Sequence, residues 1–256
     1  MSQTQVSIAQ PGRRTRLATA LAWAGLLLAL GCGVAELLSG LGYRWGWWNL
    51  RSGIQVLRWS ATTGFAAAAL TLALVLLALA FRARRAFALA ALGLALSFAV
   101  VGPPLHYWRL AGEVPPIHDI STDTENPPQF VAVLPLRRGA PNPVDYSAAI
   151  ASQQKQAYPD IVPAFLALPP QQAWQRAERA ARAMGWDIVA AAPQDLRIEA
   201  TDTTLLFGFK DDIVIRVAPA QGTSRIDVRS VSRVGKSDIG TNAGRIRKFM
   251  QRLAAA

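Results

Sequence analysis

Three long apolar runs in the first 104 residues constrain this chain more than any other feature. They cover about residues 17–39, 61–80 and 86–102, and the second contains no charged residue. A run of about 20 apolar residues is long enough to cross the hydrocarbon core of a bilayer as a helix. The sequence therefore predicts a three-helix transmembrane anchor over residues 17–104, with its last helix ending at a Pro-Pro pair.

Arginines in the short segments beside these runs predict the orientation of the anchor. Residues 1–112 contain ten arginines and one acid, Glu36, and so account for +9 of the net charge of +11. The arginines before the first run and in the turn between the second and third are Arg13, Arg14, Arg16, Arg82, Arg84 and Arg85. Because arginine-rich short segments stay in the cytoplasm, residues 1–16 are predicted to be a cytoplasmic N-terminus. The chain after the anchor is then periplasmic, on the outer side of a bacterial inner membrane.

The single cysteine offers an alternative to an uncleaved first helix. A basic start, an apolar run and Leu30-Gly31-Cys32 resemble a lipoprotein signal peptide. However, Ala29 stands where leucine is usual and the chain stays apolar beyond Cys32, which favours a membrane span. Lipidation of Cys32 is left open, and one cysteine excludes both an intrachain disulfide and a cysteine-based zinc site.

Prolines divide residues 105–157, which are therefore predicted to be a linker and loop. Within it lies the segment PPIHDISTDTENPPQF, a polar loop flanked by proline pairs that could lie across the following domain. Its acids and imidazole are a candidate metal site, since hard cations bind carboxylates and imidazole binds transition metals. The candidate ligands are His118, Asp119, Asp123 and Glu125. Local turns made by the Asp and Thr side chains are the alternative.

Residues 158–256 are predicted to form a compact α+β domain. A helix is predicted from Pro169 to Met184, and a basic helix closes the chain. Five short strands are predicted at about 186–191, 195–201, 203–209, 213–218 and 224–233. Because the connections are short, the strands should form an antiparallel five-stranded sheet with two helices packed on one face.

The segment from Thr223 to Phe249 carries the strongest local pattern. Ile226 and Val228 alternate with charged residues as on a half-buried strand, and a Gly-Lys-Ser turn then precedes a helix. A helix start beside cations is a candidate anion site. Its candidate ligands are Arg229, Arg233, Gly235, Lys236, Ser237, Asn242 and Arg245. The triplet does not complete a P-loop, because Ser230 stands where that motif needs glycine. A capped turn beside Arg–Asp cross-strand pairs is the alternative.

Catalytic and nucleic-acid functions find little support in the sequence. The only histidines are His106 and His118, and no nucleophile with a neighbouring base is visible, so no catalytic residue or cofactor is assigned. Residues 113–256 contain 17 basic and 15 acidic residues. A nearly balanced domain lacks the basic surface that nucleic acid requires, and the predicted partners are the membrane, an anionic lipid or glycan, or an envelope protein.

Long motifs give the domain a family resemblance. The run MGW…IEATD…FGFKDDIVIRV…RIDVRSVSRVGKSDIGTNAGRIRKF, with HDISTDTENPPQF upstream, resembles the bacterial DUF1499 family over about residues 115–253. The three-helix anchor resembles membrane-attached members. The name denotes a domain of unknown function, so the resemblance implies no activity. The positions that look family-defining are His118, Asp119, Asp123, Asp211, Asp212, Arg216, Asp227, Arg229, Ser230, Ser232, Arg233, Gly235, Asp238, Gly240 and Asn242.

Three functional hypotheses follow from these patterns. The first is an envelope protein whose domain binds an anionic lipid headgroup or glycan, so that reversing the charges of Arg229 and Arg233 abolishes binding and spares the fold. The second is a scaffold or interaction subunit of an envelope protein complex. The third is a hydrolase that uses the 118–125 loop.

Overall fold

The computed structural model describes residues 12–255, so most of the predicted cytoplasmic N-terminus lies outside the described residues. The chain divides into two compact units, residues 1–106 and 107–256. The first contains three helices, α1 (Arg13–Arg44), α2 (Leu50–Ala80) and most of α3 (Arg84–Glu113). All three are long and apolar enough to cross a membrane, which agrees with the predicted anchor.

Two helix boundaries differ from the prediction. Helix α2 begins at Leu50 rather than near residue 61, because the Asn49 side chain accepts a hydrogen bond from Ser52 N at 3.0 Å and caps it. Helix α3 does not stop at Pro103 and Pro104 but continues to Glu113. The two prolines remove backbone donors, yet their fixed φ is itself helical, so the helix passes through them.

Small residues allow the helices of the first unit to approach closely. A Cβ atom on Gly93 of α3 would lie 3.0 Å from Thr71 Cγ2 and 3.2 Å from Leu26 Cα. Ser60 of α2 donates a hydrogen bond of 2.6 Å to the backbone carbonyl of Cys32 in α1. Close backbone approach and interhelical hydrogen bonds are what hold helices together in an apolar solvent.

The second unit is built on one antiparallel sheet of six strands. The strands are β1 (Asp119–Ser121), β2 (Ala164–Leu166), β3 (Asp187–Ala192), β4 (Arg197–Thr203), β5 (Lys210–Ala220) and β6 (Thr223–Ser232). Their order is β1-β6-β5-β4-β3, and β2 also pairs with β6. The α+β class is confirmed, but the sheet has six strands rather than five.

The strand predicted at 203–209 is a hairpin loop. Strand β4 pairs directly with β5, with Thr203 opposite Lys210. Within the loop, Thr204 N donates to Phe209 O and Thr204 Oγ1 accepts from Phe209 N, both at 2.9 Å. Gly208 has a φ of +66°. A side chain that bonds the backbone locally competes with strand pairing, which explains why this apolar segment turns.

One face of the sheet is covered by helices, as predicted. Helices α5 (Pro170–Ala183) and α6 (Thr241–Ala255) bury Trp174, Trp186 and Phe249 against the sheet. The rings of Trp186 and Phe249 stack with centroids 5.6 Å apart. Both helices present one apolar stripe to this core, which is the ordinary way a surface helix is held.

The other face is covered by residues 122–147, which correct the prediction of a linker at 105–157. Phe130 and Val133 of this segment are buried against Val214 of β5 and Val231 of β6. The segment contains a short 3-10 helix, Leu134–Arg137, and is followed by α4 (Ala148–Ala157). The prolines exclude long helices but not packing, so this stretch is an integral layer of the domain. We call residues 122–147 the covering segment.

Candidate functional site

Arg229 on β6 has the largest side chain among the fully buried residues that the structure describes. Its side chain donates two hydrogen bonds to Asp119 of β1, at 3.0 and 2.7 Å, and others to the carbonyls of Pro128 and Val144. The guanidinium also lies 5.2 Å from the ring centroid of Phe130. Both charged side chains are at most 2% exposed. Burial raises the pKa of Asp119, although the bonds from Arg229 oppose the rise.

Two arginines and two aspartates form a second group next to this pair. Arg216 donates to Asp123 at 3.1 Å and to Asp227 at 2.9 Å. Arg225 donates to the same two carboxylates at 2.7 and 3.0 Å. Burial opposes ionisation of Asp123, but backbone N–H donors and both guanidinium groups hold its pKa below the usual range. This group is electrically neutral and joins the covering segment to β5 and β6.

The third group on this face is not neutral. Asp212 is fully buried. Its carboxylate accepts one hydrogen bond of 2.6 Å from Arg137 and two of 2.8 Å from Arg233. Thr201 Oγ1 donates a further bond of 2.7 Å. Burial opposes the charge, but the bonds from Arg233, Thr201 and Arg137 outweigh it and lower the pKa of Asp212. Two arginines therefore share one carboxylate.

Arg245 of α6 forms a separate group on the helical face of the sheet. It donates to Asp202 at 2.9 Å, to Asp211 at 2.6 Å and to Ser230 Oγ at 3.1 Å. Asn242 is fully buried and donates to Ser232 Oγ and to His118 O, both at 3.0 Å. These bonds fix the start of α6 against β6 and β1.

The turn before α6 already contains its own anion. The carboxylate of Asp238 accepts from Gly240 N at 2.8 Å and from Asn242 N at 2.9 Å. Ser237 Oγ accepts from Ile239 N at 3.1 Å. Free backbone donors at a helix start are what would bind a phosphate. Here the side chains occupy those donors, so the turn is a capped helix start.

The family profile described as protein of unknown function, DUF1499, matches residues 119–253, which run from β1 into α6. The chain belongs to the DUF1499 family. No curated protein matches the chain. The DUF1499 match begins at Asp119, the carboxylate that pairs with Arg229, and it includes the whole covering segment.

The structure separates the side chains predicted to bind a metal. In the DUF1499 domain Asp119 pairs with Arg229, Asp123 with Arg216 and Arg225, and Glu125 with Lys155. His118 Nδ1 lies 3.4 Å from Lys236 O. Across residues 12–255 there is no group of three or more His, Cys, Asp or Glu side chains that could hold a metal ion. The local-turn alternative fits Asp123, which accepts from the backbone N–H groups of Glu125 and Asn126.

The predicted anion ligands divide into buried and exposed sets. Arg229, Arg245 and Asn242 are buried in the groups described above. Because Arg229 is buried in a pair with Asp119, we expect reversal of its charge to destabilise the fold, whereas the hypothesis from sequence expects the fold to survive. Gly235 has a φ of +99° and turns the chain, Ser237 closes the turn and Lys236 is exposed. Arg233 keeps 15% of its side chain exposed.

Sequence reasoning missed three cations that the structure brings beside Arg233. Arg233 N donates to Lys210 O at 2.9 Å, and Arg233 Nη1 donates to Leu136 O at 2.8 Å, next to Arg137 and Arg138. The available signal is the Arg137-Arg138 pair, which lies in the segment 105–157 that the sequence predicts to be a linker and loop. We call these five cations the basic rim: Arg137, Arg138, Lys210, Arg233 and Lys236.

Proposed function

We propose that the protein is a membrane-anchored component of the bacterial envelope whose DUF1499 domain binds an anionic group at the basic rim. The observation that carries the proposal is the charge imbalance there. Arg137 and Arg233 share the single carboxylate of Asp212, and the other three rim cations are exposed. The ligand chemistry is a phosphate or carboxylate, as found on a lipid headgroup or a glycan.

Binding can be tested with matched variants of the full-length protein. Native mass spectrometry in mild detergent, with short-chain phosphatidylglycerol as the probe, should show a bound lipid mass. Neutralising the exposed rim cations, by Arg138→Gln, Lys210→Gln and Lys236→Gln, should remove it.

A control variant carries the same loss of charge on the exposed surfaces of α5 and α6, by Arg179→Gln, Lys248→Gln and Arg252→Gln. It should keep the bound mass. Equal retention by both triple variants, or retention of short-chain phosphatidylcholine at the same level, would refute an anion site at the rim.

The proposed location outside the cytoplasm rests on arginines at the start of α1 and around the turn between α2 and α3, which are Arg13, Arg14, Arg16, Arg82, Arg84 and Arg85. In a Cys32→Ser background, a membrane-impermeant thiol reagent added to intact cells should label Gln221→Cys and not Phe81→Cys. Both positions are exposed, and the second leaves the three arginines of the turn unchanged. The reverse labelling pattern would place the domain in the cytoplasm.

A scaffold is the second candidate, and one surface favours it. Within the described sheet, strand β2 pairs only with β6. Phe165 in β2 is 62% exposed, and Val162 just before the strand is 57% exposed. An exposed strand with apolar side chains can accept a partner strand. Stoichiometric co-purification of a protein, abolished by Phe165→Lys but kept in the rim variant, would move the function to this edge.

The hydrolase hypothesis depends on acid–base groups in the 118–125 loop that are free to exchange protons with a substrate. The three carboxylates of the 118–125 loop each accept from an arginine or lysine. A carboxylate that accepts hydrogen bonds from a cation is a weaker candidate for a general base, so these contacts lend the hypothesis little support.

A further inference from the structure

Exposed leucines lie beside the basic rim. Leu134 and Leu136 of the covering segment are 42% and 53% exposed, and Leu205 in the loop between β4 and β5 is 87% exposed. Scattered surface leucines need no explanation, but apolar side chains grouped with cations are typical of a binding surface.

Arg233 connects the two loops that carry these leucines. Its side chain donates to the carbonyl of Leu136, and its backbone N–H donates to the carbonyl of Lys210, the first residue after the Leu205 loop. Thr203, on the other side of that loop, lies opposite Lys210. Both loops therefore lie at the same end of the sheet.

Both loops are held by internal bonds. Arg137 anchors the 3-10 helix to Asp212, and two hydrogen bonds between Thr204 and Phe209 close the other loop. Phe207 and Phe209 stack with centroids 5.0 Å apart. The leucines are thus presented by ordered loops, which reduces the entropy lost when they bind.

We infer that this end of the domain docks on an anionic bilayer surface, an inference that rests on the proposed function and names its partner. The leucines enter the interfacial region, and Arg138, Lys210 and Lys236 contact lipid phosphates. Residues 131–140, 204–210 and 233–237 contain no acid, so the charge of the surface complements anionic headgroups. Five residues, 114–118, separate β1 from α3, a helix long and apolar enough to cross a membrane, so the chain tethers the domain within reach of such a membrane.

A single-site probe tests this surface in the full-length protein. Leu205→Cys in a Cys32→Ser background gives one thiol for an environment-sensitive fluorophore. In vesicles of phosphatidylcholine with phosphatidylglycerol, the emission should shift to the blue and be quenched by brominated acyl chains. In phosphatidylcholine alone, the docked-to-undocked ratio should fall by about a hundredfold, because each of the three exposed rim cations contributes roughly a fivefold factor near an anionic surface.

Further variants distinguish docking of this surface from adsorption of the fluorophore itself. A probe at Gln221→Cys, in the β5–β6 turn, should stay in water in both vesicles. Neutralising Arg138, Lys210 and Lys236 to Gln should lower the docked-to-undocked ratio by about a hundredfold, and the control triple variant on α5 and α6 should not change it.

Two results would overturn the inference. In the first, the probe at position 205 stays in water in anionic vesicles while short-chain phosphatidylglycerol still binds at the rim. The proposed function then stands, and the inferred docking on a bilayer surface is wrong. If quenching persists in the rim variant, the cations have no part in docking and the inference fails. If short-chain lipid does not bind either, the proposed function fails with it.

Discussion

Replacing Arg229 by Met should be among the most destabilising substitutions in the domain. The change removes two bonds to Asp119 and leaves a carboxylate that is 1% exposed without its cation. Breaking a buried pair by removing one partner costs about 3–5 kcal/mol. Because a domain of this size has about 5–15 kcal/mol of total stability, the variant should retain roughly half of it.

The partner substitution should cost less, and the double substitution should recover part of the loss. In Asp119→Leu, Arg229 still donates hydrogen bonds to the carbonyls of Pro128 and Val144. Its guanidinium also keeps its contacts with the rings of Phe130 and Tyr146. The double variant removes both charges of this pair, so neither is left buried without its partner, although the two carbonyls lose their donor. The double variant should therefore be more stable than Arg229→Met by about 1–3 kcal/mol.

Pulse proteolysis of the full-length protein in detergent and urea measures this unfolding. With a slope of about 2 kcal/mol per molar urea, Arg229→Met should lower the midpoint by roughly 1.5–2.5 M. The loss should be smaller at pH 5 than at pH 8. An unpaired buried carboxyl has a raised pKa, so its penalty exists above that pKa and is relieved as the pH falls. A midpoint within about 0.5 M of the parent protein at pH 8 would refute the buried-pair argument.

Three further predictions use the same proteolysis assay. The pKa of Asp212 is lowered in the folded domain, so its contribution to stability is complete above the unfolded pKa of about 4 and is lost as the pH falls through the folded pKa. In Asp212→Asn, the urea midpoint should therefore fall less steeply below pH 4 than in the parent protein. An unchanged slope would contradict this assignment. Asp238→Ala should cost about 1–2 kcal/mol by removing the acceptor for two N–H groups at the start of α6, while Asp145→Ala, at an exposed site, should leave the midpoint within experimental error. Gly240→Ala should cost about 1–2 kcal/mol because φ is +78° there, and Gly244→Ala, inside α6 with open space around it, should not destabilise the domain.

Sequence periodicity predicted the elements that are long enough to show a period. The three apolar helices, α5, α6 and the long strand β6 were all expected near their observed positions. Strands β1 and β2 are three residues each, which is too short for alternation to appear, and every residue of β1 is buried. They were missed because they are strands only through their pairing with β6, and their own residues show no local strand pattern.

The partners of the charged residues on β6 could not be predicted from sequence, for a different reason. The spacing of Arg225, Asp227 and Arg229 placed them correctly on one face of β6, but spacing cannot show what covers that face. The covering segment comes from about 100 residues earlier in the chain, and it supplies Asp123 and Arg137. Charges that look available on an isolated strand are therefore neutralised by a distant segment.

This arrangement explains why residues that look like ligands in DUF1499 are parts of the fold. A sheet covered on both faces must fill each face with apolar side chains or with charges that are paired and hydrogen-bonded. On its helical face the domain combines a large apolar core with the ion pairs of Arg245. Under the covering segment it combines a small apolar cluster with the ion pairs of Arg216, Arg229 and Arg233. The family match begins at Asp119 and includes both partners of these pairs. Among the predicted anion ligands, the cations that are partly or largely exposed are Arg233 and Lys236, and the proposed anion site is placed around them.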